Sequence, residues 1–180
     1  PYNKSADQAS ARSDQAGTTK YDVCAVVVTG DRETVFALKN WADYENDALY
    51  QPMSDADIES FRQRILKDLQ DQGYVFATVS IFKPSLQLGF LKMRVHVGQQ
   101  GDVVVKGNRW HTAKQILESA SWQTGSRFNY RELYTDIFDL NVRPDMQINT
   151  KLKPRMDEYG NRIVDVELEA LNRAVAVRHG

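Results

Sequence analysis

One cysteine, three histidines and no long apolar run leave this 180-residue chain few ways of doing chemistry. Cys24 has no second cysteine to pair with, so an intramolecular disulfide is excluded. Set in an apolar stretch, it is expected to be a small core residue. His96, His111 and His179 are scattered, and none has the spacing of a helical zinc motif. No apolar run approaches the roughly 18 residues of a membrane-spanning helix. An excess of one charge is missing too. The 23 Lys and Arg stand against 24 Asp and Glu, a net of −1, which argues against a strongly nucleic-acid-binding domain. There is no G-x-x-x-x-G-K phosphate loop and no nucleophile elbow. The acidic pairs Asp55/Asp57 and Asp157/Glu158 fall where a helix start and a turn are expected, not as a buried carboxylate pair. The expectation is therefore no enzyme, no cofactor and no metal. The opening PYNKSADQASARSDQAGTTK has no apolar h-region, so it reads as a linker or weakly helical tail rather than a signal peptide.

What is present is organised around Gly73–Asn108. Val75, Ala77, Val79 and Ile81 alternate with Phe76, Thr78, Ser80 and Phe82, the period of a half-buried strand. Beyond Lys83–Gly89, Leu91, Met93, Val95 and Val97 alternate with Lys92, Arg94 and His96, completing a hairpin with one buried face. Gly98 and Gly101 then interrupt the pattern, and Asp102–Lys106 starts another strand at once. Upstream, Asp22–Gly30 reads as a strand and Val35–Tyr50 as a helix ending before Pro52. Ser54 opens a clearer helix. Its hydroxyl suits the orphan amides, and Ile58, Phe61, Ile65 and Leu69 form one stripe, with Arg62, Lys67, Asp68 and Asp71 elsewhere. Gly73 suits a left-handed helix end over which Tyr74 folds back.

The order β-α-α-β-β then repeats. Asp102–Asn108 echoes the first strand, and Thr112 is expected to cap a short helix through Ile116, Leu117 and Ala120. Asn129 caps the next, with Glu132 three residues on and a stripe of Leu133, Ile137, Phe138 and Leu140 that stops before Pro144. A second hairpin carries Met146, Ile148 and Leu152 on one strand and Val164, Val166 and Leu168 on the other, turning at Asp157–Asn161. The expected fold class is α+β. It has two tandem units, each a three-stranded mixed sheet covered on one face by two helices. A KH-type RNA-binding reading of the same order needs a G-x-x-G loop between the helices, and neither Tyr50–Ser54 nor Ser121–Ser126 supplies one.

The run SDADIESFRQRILKDLQDQGYVFATVSI with LQLGFLKMRVHVGQQGDVVVKGN resembles a polypeptide-transport-associated (POTRA) domain. More narrowly, it is similar to the first such domain of the outer-membrane transporters of two-partner secretion, the hemolysin-activator and filamentous-hemagglutinin exporters of the Omp85 superfamily. Gly73-Tyr74 matches the family's helix end, and Gly89, Leu91, Val95 and Gly98 match its hairpin and strand end. Pro84-Ser85 stands where the family has Pro-Gln, with Gln87 two residues later. The second unit, TGSRFNYRELYTDIFDLNVRPDMQINTKLKP, resembles the second POTRA domain through Gly125, Asn129, Leu133, Leu140, Asn141 and Pro144. The domains are then expected at 21–99 and 100–172, between a tail at 1–20 and a short tail at 173–180.

The resemblance implies a periplasmic binding module of an outer-membrane protein. It receives an unfolded secreted partner and passes it to a C-terminal β-barrel in cis. Only ALNRAVAVRHG follows the second hairpin, so no barrel is expected within these residues. A monomer without nucleic-acid partners is expected. Relatives that assemble outer-membrane proteins, and periplasmic docking scaffolds of the cell-division type, are the alternatives. In such domains the strand 74–82 lies at the sheet edge, which marks Tyr74, Phe76, Thr78, Ser80 and Phe82 as the expected cargo-binding residues. An incoming extended peptide would add to the sheet there. The second unit's edge, Gln147, Asn149 and Lys151, is polar and less suited to an apolar partner.

Overall fold

A computed structural model of the chain describes residues 19–120 and 122–173. The expected N-terminal tail lies outside these residues up to residue 18, and the C-terminal tail from residue 174. The described chain packs as two compact units. Among these residues one unit draws on 19–68 and Val79–Val95, the other on Leu69–Thr78 and on 96–173 without residue 121.

In the first unit β1 (Lys20–Tyr21) pairs antiparallel with β3 (Met53–Ser54), so the last residue of the expected tail is already strand. The main sheet has the order β2-β5-β4, from β2 (Ala25–Gly30), β5 (Phe90–His96) and β4 (Thr78–Ile81), with β2 parallel to β5. Leu91, Met93 and Val95 of the middle strand are fully buried, as their alternation requires. Cys24 lies just before β2 and is exposed, not buried as expected. Its amide donates to the Gly89 carbonyl at 2.7 Å, which holds the backbone against the hairpin and leaves the thiol outside.

The helix expected over 35–50 is two helices, α1 (Arg32–Phe36) and α2 (Trp41–Leu49). The buried residues explain the break. Val35 and Leu38 are buried, and so are Tyr44 and Ala48. On one continuous helix the second pair would lie more than a third of a turn from the first, off the buried face. Breaking at Ala37–Asn40 turns both pairs inward. The ring of Tyr44 meets Phe61 edge-on at 6.1 Å, with the Arg64 guanidinium 4.9 Å from its centroid. Its hydroxyl donates to Asp68, and burial, followed by that carboxylate, pushes its pKa up to about 12.

Helix α3 (Asp55–Asp71) starts with a reciprocal cap. The Asp57 amide donates to Ser54 Oγ at 3.2 Å, and the Ser54 amide donates to Asp57 Oδ2 at 2.9 Å. It ends in a Schellman motif, Tyr74 N to Leu69 O and Gly73 N to Gln70 O, both 3.0 Å, with Gly73 at φ 105°. The expected stripe Ile58, Phe61, Ile65 and Leu69 is buried throughout.

The second unit orders its sheet β6-β8-β7: β6 (Gln99–Lys106) is parallel to β8 (Arg162–Asn172), and β7 (Met146–Met156) antiparallel to it. Helices α4 (Trp110–Leu117) and α5 (Tyr130–Asn141) precede β7. Ala113, Trp122, Phe128, Leu133, Ile137 and Leu140 pack on Met146, Ile148, Val164, Val166, Leu168 and Ala170. Thr112, the expected cap, lies inside α4, whose cap position is Arg109, three residues earlier. Asn129 does cap α5, its Oδ1 accepting from the amides of Arg131 and Glu132 at 2.9 and 3.4 Å. Phe138 is not in the buried stripe, because it sits well over a third of a turn around α5 from Leu133. It instead continues an exposed row, with Tyr130 and Tyr134 5.8 Å apart and Tyr134 and Phe138 6.3 Å apart.

The opposite face of this sheet is a charge ladder. Glu167 on the middle strand pairs with Lys106 on β6 and with Lys153 on β7 at 2.5 Å, while Arg155 pairs with Asp165 at 2.8 Å. Lys106, then Lys153, lowers the Glu167 pKa to about 2.

Two predictions follow from this packing. Phe61 is 2% exposed, so Phe61→Ala should lower urea-unfolding stability by about 3–5 kcal/mol. The 78% exposed Tyr159 gives a control, and Tyr159→Ala should change stability by no more than about 0.5 kcal/mol. Glu167 binds fewer protons folded than unfolded. Its contribution is full above the ordinary value of 4.5 and lost as pH falls from there towards about 2. Glu167→Gln should therefore flatten the fall in urea midpoint between about pH 6 and about pH 3, and added salt should shrink the difference because the two lysines it pairs with are exposed.

Candidate strand-addition edge

The hairpin from β4 to β5 shows how the expected site is built. After the Schellman motif the chain turns at Tyr74–Phe76, with Ala77 N donating to Tyr74 O at 3.0 Å, and only then becomes strand. Strand β4 is therefore Thr78–Ile81, four residues long, rather than 74–82. Val75, expected in the core, lies in this turn and is exposed. Phe76 is half-buried, its ring 5.5 Å from Phe128 of the second unit's core and almost edge-on to it. Tyr74 is half-buried in the same turn. Of the five expected residues, the structure gathers Thr78, Ser80 and Phe82 on one exposed face and keeps Tyr74 and Phe76 off the strand.

A six-residue 3-10 helix, Lys83–Leu88, closes the hairpin, with Pro84 in its first turn and Gly89 at φ 85° after it. Ser85, at the position where the resembled family has glutamine, is buried. Its hydroxyl lies 2.7 Å from Phe82 O and 2.8 Å from Phe90 O, joining the two strand ends. The Phe82 amide donates to Lys92 O at 2.9 Å, so the Phe82 backbone points towards β5. Backbone direction alternates along a strand, so Ser80 and Thr78 also point inward while Val79 and Ile81 point out. The free edge thus offers the amides of Val79 and Ile81 and the carbonyl of Ile81.

The outward carbonyl of Val79 is already used. Arg62 Nη1 donates to it at 3.2 Å, and the rest of that guanidinium forks onto Glu59 at 2.5 and 3.0 Å. Hydrogen bonds from Arg62, then Gln63, hold the Glu59 pKa down to about 2. Arg62 was placed on the solvent side of α3 by its periodicity. Glu59 three residues earlier is the sequence signal of that ion pair, but nothing in the sequence signals the contact with Val79. Side chains also divide differently from expectation. Val79 and Ile81 face the helices, whereas Phe82, 55% exposed, lies on the open face with Lys92 Nζ 5.6 Å from its ring centroid. An added strand would thus meet aliphatic groups and Arg62 on one side and an aromatic ring on the other.

Among the described residues no three His, Cys, Asp or Glu side chains are grouped to hold a metal, and no helix is long and apolar enough to cross a membrane. The chemistry available at β4 is backbone hydrogen bonding flanked by apolar contact.

No protein-family model matches the chain, and no curated protein matches it. Solved structures do. CdiB from Acinetobacter baumannii aligns over 86% of this chain and 30% of its own at TM-score 0.71 and 12% identity. POTRA1-3 of the periplasmic domain of Omp85 from Anabaena aligns over 89% of this chain and 69% of its own, at 0.64 and 15%. CdiB from Escherichia coli aligns over 87% and 28%, at 0.63 and 16%. The chain spans less than a third of either CdiB chain. The shared element is the fold: this chain is built as tandem POTRA-type domains, an α+β arrangement of three-stranded sheets with helices packed on them.

Ser85→Ala should lower stability by about 1–3 kcal/mol, since two carbonyls at the hairpin end lose a shared donor. Amide exchange at Phe82 and Phe90 should rise before exchange in α3 does. Equal protection at all three would show that the hydroxyl does not hold the hairpin.

Proposed function

We propose that this chain is the periplasmic, polypeptide-receiving part of an outer-membrane protein exporter. In this reading it holds an unfolded secreted partner by strand addition to β4 and passes it to a β-barrel in cis. The fold shared with the CdiB and Omp85 structures supports the setting. The observation that carries the binding step is the β4 edge, with outward backbone groups at Val79 and Ile81 beside the exposed ring of Phe82.

Carbonyls of an extended segment accept from Val79 N and Ile81 N, and one segment amide donates to Ile81 O. Backbone pairing is largely indifferent to sequence, and Phe82 adds a preference for apolar side chains at alternate positions. Arg62 limits the segment, because its guanidinium must leave the Val79 carbonyl before pairing extends past it. Holding is weak by construction: few bonds form, and ordering a disordered chain opposes them. That suits a module that must release its cargo.

Isotope-labelled chain titrated with a disordered peptide of alternating apolar and polar residues should show amide shifts centred on Thr78–Phe82. Phe82→Ala should weaken binding by roughly fivefold without unfolding the chain. Ile81→Pro should abolish it, whereas Ile81→Ala, which loses the side chain but keeps the donor, should not. Thr78→Pro should act differently, loosening the pairing with β5, because that amide faces inward. Arg62→Ala should tighten binding by a few-fold. A titration that leaves 78–82 unmoved removes the proposed site.

A further inference from the structure

The second unit carries a cleft that the β4 reading does not use. Its volume is about 490 Å³, and it runs between Val103–Val105 of the sheet-edge strand β6 and helix α4, walled by Trp110, Leu117 and Trp122. Lys114 and Glu118 stand at its rim. Trp110 is 46% exposed, which is costly for so large an apolar surface unless something covers it.

The chain itself shows what this edge accepts. At the start of β6 the segment Gly125–Phe128 lies along the edge as a short antiparallel strand, with Arg127 bridged to Gln99. Gln100 N donates to Ser126 O at 2.7 Å, Gly125 N to Gln100 O at 2.8 Å and Phe128 N to Gly98 O at 3.0 Å. The pairing then stops for two local reasons. The Gln123–Ser126 turn, closed at 3.0 Å, carries the segment away, and a β-bulge follows Gln100 on β6. Beyond the bulge Val103–Lys106 continues as regular strand, and among the described residues it pairs with β8 on its inner side alone. The edge is occupied by extended backbone up to the bulge and open after it, beside the cleft.

We infer that Val103–Lys106, with the cleft between it and α4, is a second site for an extended, unfolded polypeptide segment. The segment runs antiparallel to β6, in line with Gly125–Phe128. Its backbone pairs with the open edge, and alternate side chains enter the cleft against Trp110 and Leu117. Val103 and Val105 are half-buried on the same side, so the cleft is lined at the two-residue repeat of a strand. Apolar residues at alternate positions fit it. This deepens the proposed function and rests on the same strand-addition chemistry, now with a second point of hold on the cargo.

The test is a titration of the full labelled chain with a blocked peptide of valine and leucine alternating with serine, threonine and lysine. Saturable shifts at Val103–Lys106 and at the Trp110 and Trp122 indoles support the inference. So does their weakening by roughly tenfold in Trp110→Ala, with no weakening in Phe82→Ala. A nitroxide-tagged copy of the peptide should broaden the same amides in the unaltered chain, which keeps the test decisive if Trp110→Ala does not fold. Shifts confined to Thr78–Phe82 overturn this site and leave the β4 reading standing. Shifts confined to Val103–Lys106 do the reverse, and no shift at either removes both. Shifts at Val103–Lys106 that grow with protein concentration in the absence of peptide also overturn it, since the edge then pairs with a second copy.

Discussion

A three-stranded sheet has one interior strand and two edges, and every edge leaves a row of backbone donors and acceptors unpaired. Each unit of this chain is such a sheet, so the treatment of its edges governs what it can bind. Strand β7 is closed by composition: Lys151, Lys153, Pro154 and Arg155 lie along it, and charge and a missing donor both discourage another strand. Strand β6 is half closed, by the chain's own Gly125–Phe128 and by a bulge. Strand β4 is closed at one atom, the Val79 carbonyl held by Arg62. A single side chain can swing away from a carbonyl, whereas β7 would have to lose a proline. The edges therefore differ in how readily they open as well as in how apolar they are.

The end of α3 decides how much of the expected edge becomes strand. Its last carbonyls are satisfied from the start of α5. Arg131 donates to Asp71 O, Asn129 Nδ2 to Gln72 O at 3.1 Å, and Tyr130 N to Gly73 O at 2.8 Å. Asn129 thus caps its own helix through its oxygen and the end of another through its nitrogen. A Cβ at Gly73 would fall 2.1 Å from Asn129 Oδ1, so the glycine is required twice, for its positive φ and for this approach. With Gly73 held there, the next three residues are committed to a turn, and Phe76 is carried onto Phe128. Backbone capping removes Phe76 from the edge. Apolar attraction alone would have allowed either place.

Much of this was legible in the sequence because it depends on period. The β-α-α-β-β order, the stripe of α3, the buried alternation of Leu91, Met93 and Val95, and the Asn129 cap all follow from spacing within one element. What escaped depends on contacts between elements. A single helix over 35–50 satisfied the local pattern, and only the need to bury both Val35 and Tyr44 broke it. Phe138 has the right chemistry for the core and the wrong angle. Cys24 sits among valines, but its backbone is held by the hairpin with the thiol outside. At the candidate site, period two correctly assigned Thr78, Ser80 and Phe82 to one face. It could not reveal that the strand starts at Thr78, or that Arg62 reaches across from α3 to Val79.

The two three-stranded sheets share a strand order but not a solvent face. On the second, lysine and arginine from the outer strands meet glutamate and aspartate of the middle strand, so charge is neutralised within the sheet. On the first, Phe82 and Phe90 are exposed beside Lys92, with Val27 exposed on β2. Exposed rings keep their affinity for apolar side chains, and neighbouring cations keep the surface hydrated and disfavour its burial against another folded face. Such a face favours a partner that presents apolar groups singly and spaced, as an unfolded chain does, over one that presents them as a broad patch. An edge of unpaired amides asks for the same partner, because only extended backbone can match it. In the proposed function, edge and face of the first sheet would then select for the same physical state of a partner rather than for a particular sequence.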